Sequence, residues 1–137
     1  MLDAWHKDMI TKHGFCVHYV KEEKTFPYKV NIHTHGIEDH LGHPDLQIVL
    51  PVPPDVAASL FAILYVKIKD GARFSDGQVL NTPEDEIKLP IKFVSAKEGG
   101  RDLLRVILPD VEGRTSYSEM SDKFRRQYLG RFQKQGA

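Results

Sequence analysis

Cysteine is almost missing from this chain. Cys16 is the only one, so no intramolecular disulfide can form, and a reducing cytoplasm is the expected setting. Net charge is missing too: nineteen Lys and Arg offset nineteen Asp and Glu, leaving no global field to draw the protein toward nucleic acid or a membrane surface. Long apolar runs are also absent. The greasiest region, LQIVLPVPPDVAASLFAILYV, is broken by three prolines and Asp55 and does not read as a membrane span. The opening MLDAWHKDMITKHG has no apolar core of signal-peptide type, so no secretory leader is expected. There is no HExxH, no paired CxxC, no EF-hand loop, no GxSxG elbow and no GxGxxG or Walker loop. Those absences remove support for hydrolase-elbow, dinucleotide and P-loop chemistry.

What is present describes an ordinary globular chain. Its 137 residues, 41% hydrophobic and 28% charged, suit one domain over residues 1–137. Leu2, Trp5 and Met9 share a helical face and predict a short helix over 2–12. FCVHYV (15–20) and PYKVNIHT (27–34) read as two strands joined by KEEKTF, and DLQIVL (45–50) as a third. Pro53, Pro54 and Asp55 open a helix running to about Asp70 and stopped by Gly71. Val56, Leu60, Leu64 and Ile68 recur every four along it, with Phe61, Ile63 and Tyr65 widening the stripe, so it is expected to be central and well buried.

GARFSDGQVLNTPEDE (71–86) is loop-like, with Glu84, Asp85 and Glu86 read as a solvated strand entry. EIKLPIKFVS (86–95) alternates, and Pro90 argues for a sheet edge; RDLLRVIL (101–108) is apolar on both parities and reads as a central strand. YSEMSDKFRRQYLGRFQKQGA suggests a helix fraying after Gly130. The expected fold is α+β: a single domain with a mostly antiparallel sheet packed on one long central helix, and short N- and C-terminal helices.

Chemistry concentrates in VNIHTHGIEDHLGHPD (30–45), which holds four of the seven histidines. In an extended segment Tyr28, Val30, Ile32 and Thr34 share one face, and Lys29, Asn31, His33 and His35 the other. In FCVHYV the apolar set Phe15, Val17 and Tyr19 leaves Cys16 and His18 opposite. A hairpin that buries both apolar sets together must face even residues of the first strand with odd residues of the second. A register with Val20 near Pro27, Cys16 near Asn31 and His18 near Lys29 does so. It gathers Cys16, His18, Asn31, His33 and His35 on one surface, the candidate ligand-binding face.

The same residues admit a metal reading. His33 and His35 could supply two ligands to a divalent transition metal such as zinc, and His40 or His43 a third if GIEDHLG curls back. Glu38 or Asp39 could complete the set or act as base. Against it stands the reading of these histidines as loop and surface residues, His43 before Pro44 suiting a purely structural turn. Cys16 and His18 as a thiolate–imidazole pair is weighed against a buried, inert cysteine. From Arg114 onward six basic residues face two acidic ones, and Phe124, Tyr128 and Phe132 recur every four beside Arg125, Arg126 and Arg131. That pattern fits single-stranded nucleic acid, but also a helix docked on its own domain or on a partner.

Several short pieces in order resemble a bacterial family known only as domain of unknown function 4262. HGFCVHYV matches its histidine-glycine-aromatic strand at His13, Gly14 and Phe15. YKVNI is similar to a second family strand at Tyr28, Val30 and Ile32, and GHPDL to a segment spanning Gly42 to Leu46. DGARFSDGQVL and LLRVILPD complete a likeness over about residues 12–112, with a basic helical tail over 113–137 beyond it. Asn31 stands where the family usually has glycine, and Leu108 where an aromatic is common. The resemblance implies one domain, bacterial or phage origin and a shared site near YKVNIHTHG and GHPD. It implies no activity.

The expected function is therefore a non-catalytic binding or accessory role in the cytoplasm, for a small ligand or protein partner, through the hairpin face and the histidine-rich loop. A metal-dependent enzyme using His33, His35 and His40 or His43 is the alternative. Nucleic-acid binding through the basic tail comes third, and no membrane role is expected.

Overall fold

The computed structural model describes residues 14–21, 30–80, 90–98 and 100–128. The expected helix over 2–12, nearly all of the connection between the first two strands, residues 81–89 and the tail beyond 128 lie outside these residues.

Among the described residues six strands form one sheet: β1 (Cys16–Lys21), β2 (Val30–His35), β3 (Asp45–Ile48), β4 (Val79–Leu80), β5 (Ile91–Glu98) and β6 (Arg101–Ile107), in the order β1-β2-β3-β6-β5-β4. Among them run α1 (Ile37–Leu41), α2 (Pro54–Lys69) and α3 (Asp122–Arg125), with a 3₁₀ turn over Arg126–Tyr128. The class is α+β, but the expected mostly antiparallel sheet on one long central helix is corrected. β3 and β6 pair in parallel while the other neighbours are antiparallel, so the sheet is mixed. The one sizeable helix among the described residues has 16 residues, and the others are short. Pairing direction was hidden from the sequence for a physical reason. Alternation reports which face a residue takes, whereas a parallel pair depends on a long crossover returning beside its start. Here that crossover contains α2, β4 and β5.

α2 begins and ends where its prolines and Gly71 predict, but its buried face differs. Ala57, Phe61, Leu64 and Ile68 are buried, while Val56 is 50% exposed. A strict repeat of four advances about 40° too far per step on a helix of 3.6 residues per turn. From Ile68 back to Val56 the drift reaches about a third of a turn, enough to swing Val56 into solvent. Steps of four, three and four keep the true stripe on the core. Val66, 54% exposed, lies off that stripe, so α2 covers the sheet with one side only.

The sheet has two unlike faces. Toward α2 it turns Val30, Ile32, Leu46, Ile48, Ile91, Phe93, Leu104 and Val106, which pack with the buried side of that helix. Burying each large aliphatic or aromatic side chain contributes roughly 1.5–3 kcal/mol. Phe15 and Val17 of the first strand region join this layer, and the Phe15 and Tyr65 rings lie 4.9 Å apart. Gly14 just before them has φ +88°, and a Cβ there would collide with the Tyr65 hydroxyl. The aromatic pair therefore requires glycine at this position.

On the opposite face the C-terminal segment covers one half of the sheet. Val94 and Ile107 pack with Met120, Phe124 and Tyr128. The Gln127 side chain behaves like an extra strand residue. Its Oε1 accepts from the Leu108 amide at 2.6 Å and its Nε2 donates to the Leu108 carbonyl at 2.9 Å. Asp110 anchors the preceding turn by accepting from the backbone N–H groups of Glu112, Arg114 and Ser121 and from the Arg114 side chain. Burial pushes its carboxyl up, and these donors outweigh burial to hold it below the usual range. Instead of one longer tail helix, the described tail residues form α3 followed by the 3₁₀ turn.

The edge position expected for the strand around Pro90 is also corrected. Ile91 and Lys92 pair with β4, Gly77 donates to the Phe93 carbonyl at 2.7 Å and Phe93 to the Gln78 carbonyl at 2.9 Å. Pro90 precedes the first strand residue, where a missing N–H costs no ladder bond. Among the described residues no helix is long and apolar enough to cross a membrane.

Candidate metal centre

β1 and β2 lie antiparallel with Cys16 opposite His35, His18 opposite His33 and Val20 opposite Asn31. The expected register set Cys16 against Asn31, so the strands have slid by four residues. An even slip leaves every side chain on its face. The even–odd pairing inferred from alternation is kept, and the histidines come closer than expected, directly across from one another.

His18, His33 and His35 form one group on this half of the sheet. One nitrogen from each ring lies within 4.8 Å of the others, and all three residues are half-buried. Ring centroids stand 4.5 Å apart for His18 and His35, 4.9 Å for His33 and His35, and 5.4 Å for His18 and His33. Beside them Asn31, His33, Arg101 and Leu103 line a cleft of about 70 Å³. Organic ligand pockets typically measure about 300–1,000 Å³. This cleft suits an ion or a very small molecule.

The proton positions follow from two arginines, because guanidinium groups only donate. Arg105, 1% exposed, donates its Nε–H to Gln47 Oε1 at 2.8 Å and an Nη1–H to the Gln127 carbonyl. With its oxygen so committed, Gln47 turns its amide nitrogen to Asn31 Oδ1 at 3.1 Å. That oxygen also lies 3.1 Å from His33 Nδ1, so His33 must carry its proton on Nδ1, leaving Nε2 as the basic nitrogen. A metal-ligating histidine commonly donates its second N–H to an oxygen acceptor in this way.

The second arginine imposes the opposite order. Arg101 donates an Nη1–H to His35 Nδ1 at 2.7 Å and an Nη2–H to the Thr34 carbonyl at 2.9 Å. Neutral His35 then holds its proton on Nε2 and donates it to His18 Nδ1, 3.0 Å away. Two ligand nitrogens of a tetrahedral zinc site with bonds of about 2.05 Å sit roughly 3.3 Å apart, so the His18–His35 separation would also suit a shared metal ion if the proton moved from His35 Nε2 to Nδ1 and the Arg101 donor gave way there.

Asp45, from the GHPD segment, braces this arrangement from beneath. Its carboxylate accepts from Thr34 Oγ1 at 2.7 Å and from the Ile37 and Glu38 amides at 3.0 and 3.4 Å. It thus caps the N-terminus of α1 from a distance, since the flanking Gly36 offers no side chain. It also lies 3.6 Å from Arg101 Nη2, tying the arginine to the sheet.

The other candidates are placed elsewhere. His43 is buried, bonds the Pro44 carbonyl through Nδ1 at 2.8 Å, and accepts the Phe74 amide at Nε2 at 3.1 Å. Both of its nitrogens are taken by main chain, so it staples two loops together. His40, Glu38 and Asp39 are exposed on α1. Neither His40 nor His43 belongs to the three-histidine group. Cys16 is buried at 3% exposure at the end of the same face, opposite His35.

In the tail, Phe124 and Tyr128 pack inward. Arg125 is turned onto its own segment, donating to the Tyr117 and Ser118 carbonyls, pairing with Asp122 and standing 5.4 Å from the Tyr117 ring centroid. Arg126 is exposed, and Phe132 and Arg131 lie outside the described residues.

Sequence reasoning passed over Gln47, Arg101, Arg105 and Gln127. A signal existed for Arg105 and Gln47: each interrupts a strand read as apolar, and a polar group buried there needs a built partner. Nothing local signalled Arg101, whose role depends on β6 lying beside β3.

No curated protein and no solved structure matches this chain. A family model described as Domain of unknown function (DUF4262) matches residues 9–104, more than two thirds of the sequence, and the chain belongs to that family.

Proposed function

We propose that this domain binds a divalent transition-metal ion, zinc being the first candidate, through His18, His33 and His35. The observation carrying the reading is the convergence of three imidazole nitrogens within 4.8 Å on one sheet face. Imidazole donors favour zinc, copper, nickel or iron over magnesium or calcium. The β1–β2 pairing supplies preorganisation, and the Asn31 bond to His33 supplies the expected outer support.

The proposed role is binding. A three-histidine set leaves a fourth position for water, the pattern of catalytic zinc sites, and this favours a metal-dependent enzyme as the second reading.

Tag-free, chelator-treated protein titrated with zinc, and with cobalt for its visible absorption, tests the proposal. One equivalent should bind, and the His33→Ala, His35→Ala double variant should lose it while keeping its fold. Binding below stoichiometry, or unchanged in that variant, would overturn the assignment.

A further inference from the structure

α2 is apolar almost all round, yet among the described residues it packs on one side. Residues 56–66 include no charged side chain, and Ser59 and Tyr65 alone carry hydroxyls. Ala57, Phe61, Leu64 and Ile68 meet the sheet. At about 100° per residue, Val56, Ser59, Ala62, Ile63 and Val66 share an arc of roughly 120° on the other side. Val56 is 50% and Val66 54% exposed, Ser59 and Ala62 are exposed, and Ile63 is half-buried. A helix hydrophobic all round is ordinarily covered all round, and a contiguous apolar patch in solvent marks a docking surface.

The chain carries an occupant of its own. Gly14 lies directly against the Tyr65 side chain, and the Phe15 and Tyr65 rings stand 4.9 Å apart. Tyr65 neighbours Val66, so the backbone preceding Gly14 is anchored beside the outer face of α2. Residues 2–12, which lie outside the described residues, have the matching pattern. Leu2, Trp5 and Met9 share one helical face, and Asp3, Lys7 and Thr11 the opposite one. As a helix these eleven residues reach about 16 Å, and Val56 to Val66 spans about 15 Å.

We propose that residues 2–12 dock on the outer face of α2 through Leu2, Trp5 and Met9. The segment lies alongside α2 and runs in the same direction, because its end at Gly14 is held near Tyr65. Counting back from that contact sets Met9 toward Ala62 and Trp5 toward Val56 and Ser59. A second copy could cover the same face, but the short tether holds residues 2–12 beside it at an effective concentration of about millimolar. No residue of α2 belongs to the three-histidine group, so the docking and the metal reading stand or fall separately.

Trp5 is the chain's one tryptophan, so its fluorescence reports the docking directly. Acrylamide quenching of the full chain is compared with that of a synthetic peptide of residues 1–13. The expected quenching constant is at least threefold below the peptide's and unchanged by dilution. It should rise at least twofold in the Val56→Glu, Val66→Glu double variant, whose substitutions leave the buried side of α2 intact. Val111→Glu, at a valine 86% exposed elsewhere, should leave it as in the parent protein. Quenching as free as in the peptide, protection that survives the double variant, or equal loss in Val111→Glu would overturn the proposal. Protection lost on dilution would give the face to a second copy and overturn it as well. If circular dichroism shows the double variant unfolded, Ser59→Arg supplies the same reading with one exposed substitution.

Discussion

Arg101 Nη1 donates to His35 Nδ1 at 2.7 Å, and this single contact sets which nitrogen of His35 carries the proton. It places a fixed positive charge beside three imidazoles and locks one of them in the form that keeps its proton on the nitrogen facing His18. The arginine therefore competes with a metal ion for His35, in charge and in tautomer.

Arg101→Gln should accordingly raise zinc affinity about tenfold or more, equivalent to about 1.4 kcal/mol. A competition titration against a chromophoric chelator measures it. Unchanged or weaker binding would show that the guanidinium does not contest the ring.

Asn31→Leu removes the oxygen that holds His33 Nδ1–H while keeping side-chain size. Zinc affinity should fall about 10–100-fold, the usual effect of losing an outer-shell partner. If affinity is unaltered, His33 does not need the relay from Arg105 through Gln47.

His43→Ala separates the structural histidine from the group of three. The Phe74 amide loses its buried acceptor, and a cavity opens beside a ring 6.0 Å from it. Thermal or denaturant unfolding should register a loss of about 2–4 kcal/mol. Zinc stoichiometry should be the same as in the parent protein, and a lost equivalent would return His43 to the site.

Asp110→Asn tests the clasp on the C-terminal segment. The folded carboxyl titrates below its unfolded value, so its contribution is present above about pH 4 and is lost as pH falls through the folded value. The variant should melt lower than the parent at pH 7, and the gap should close on acidification below about pH 4. A gap independent of pH would mean that the charge of Asp110 contributes nothing beyond its shape.

The amino-acid order alone determined which side of each strand a residue takes. Period-two alternation in FCVHYV and YKVNIHT separates a greasy face from one bearing Cys16, His18, Asn31, His33 and His35, because burial rewards one parity. Prolines and Gly71 likewise delimited α2. Tertiary structure decided the rest. The strand register slid by four residues, which parity permits at no cost and local pattern cannot detect. The parallel pairing of β3 with β6 brought Arg101 and Arg105 to the histidine face from residues far along the chain. Those arginines set the tautomers of His33 and His35, since they donate and never accept, and no local pattern foretells which distant strand will supply them.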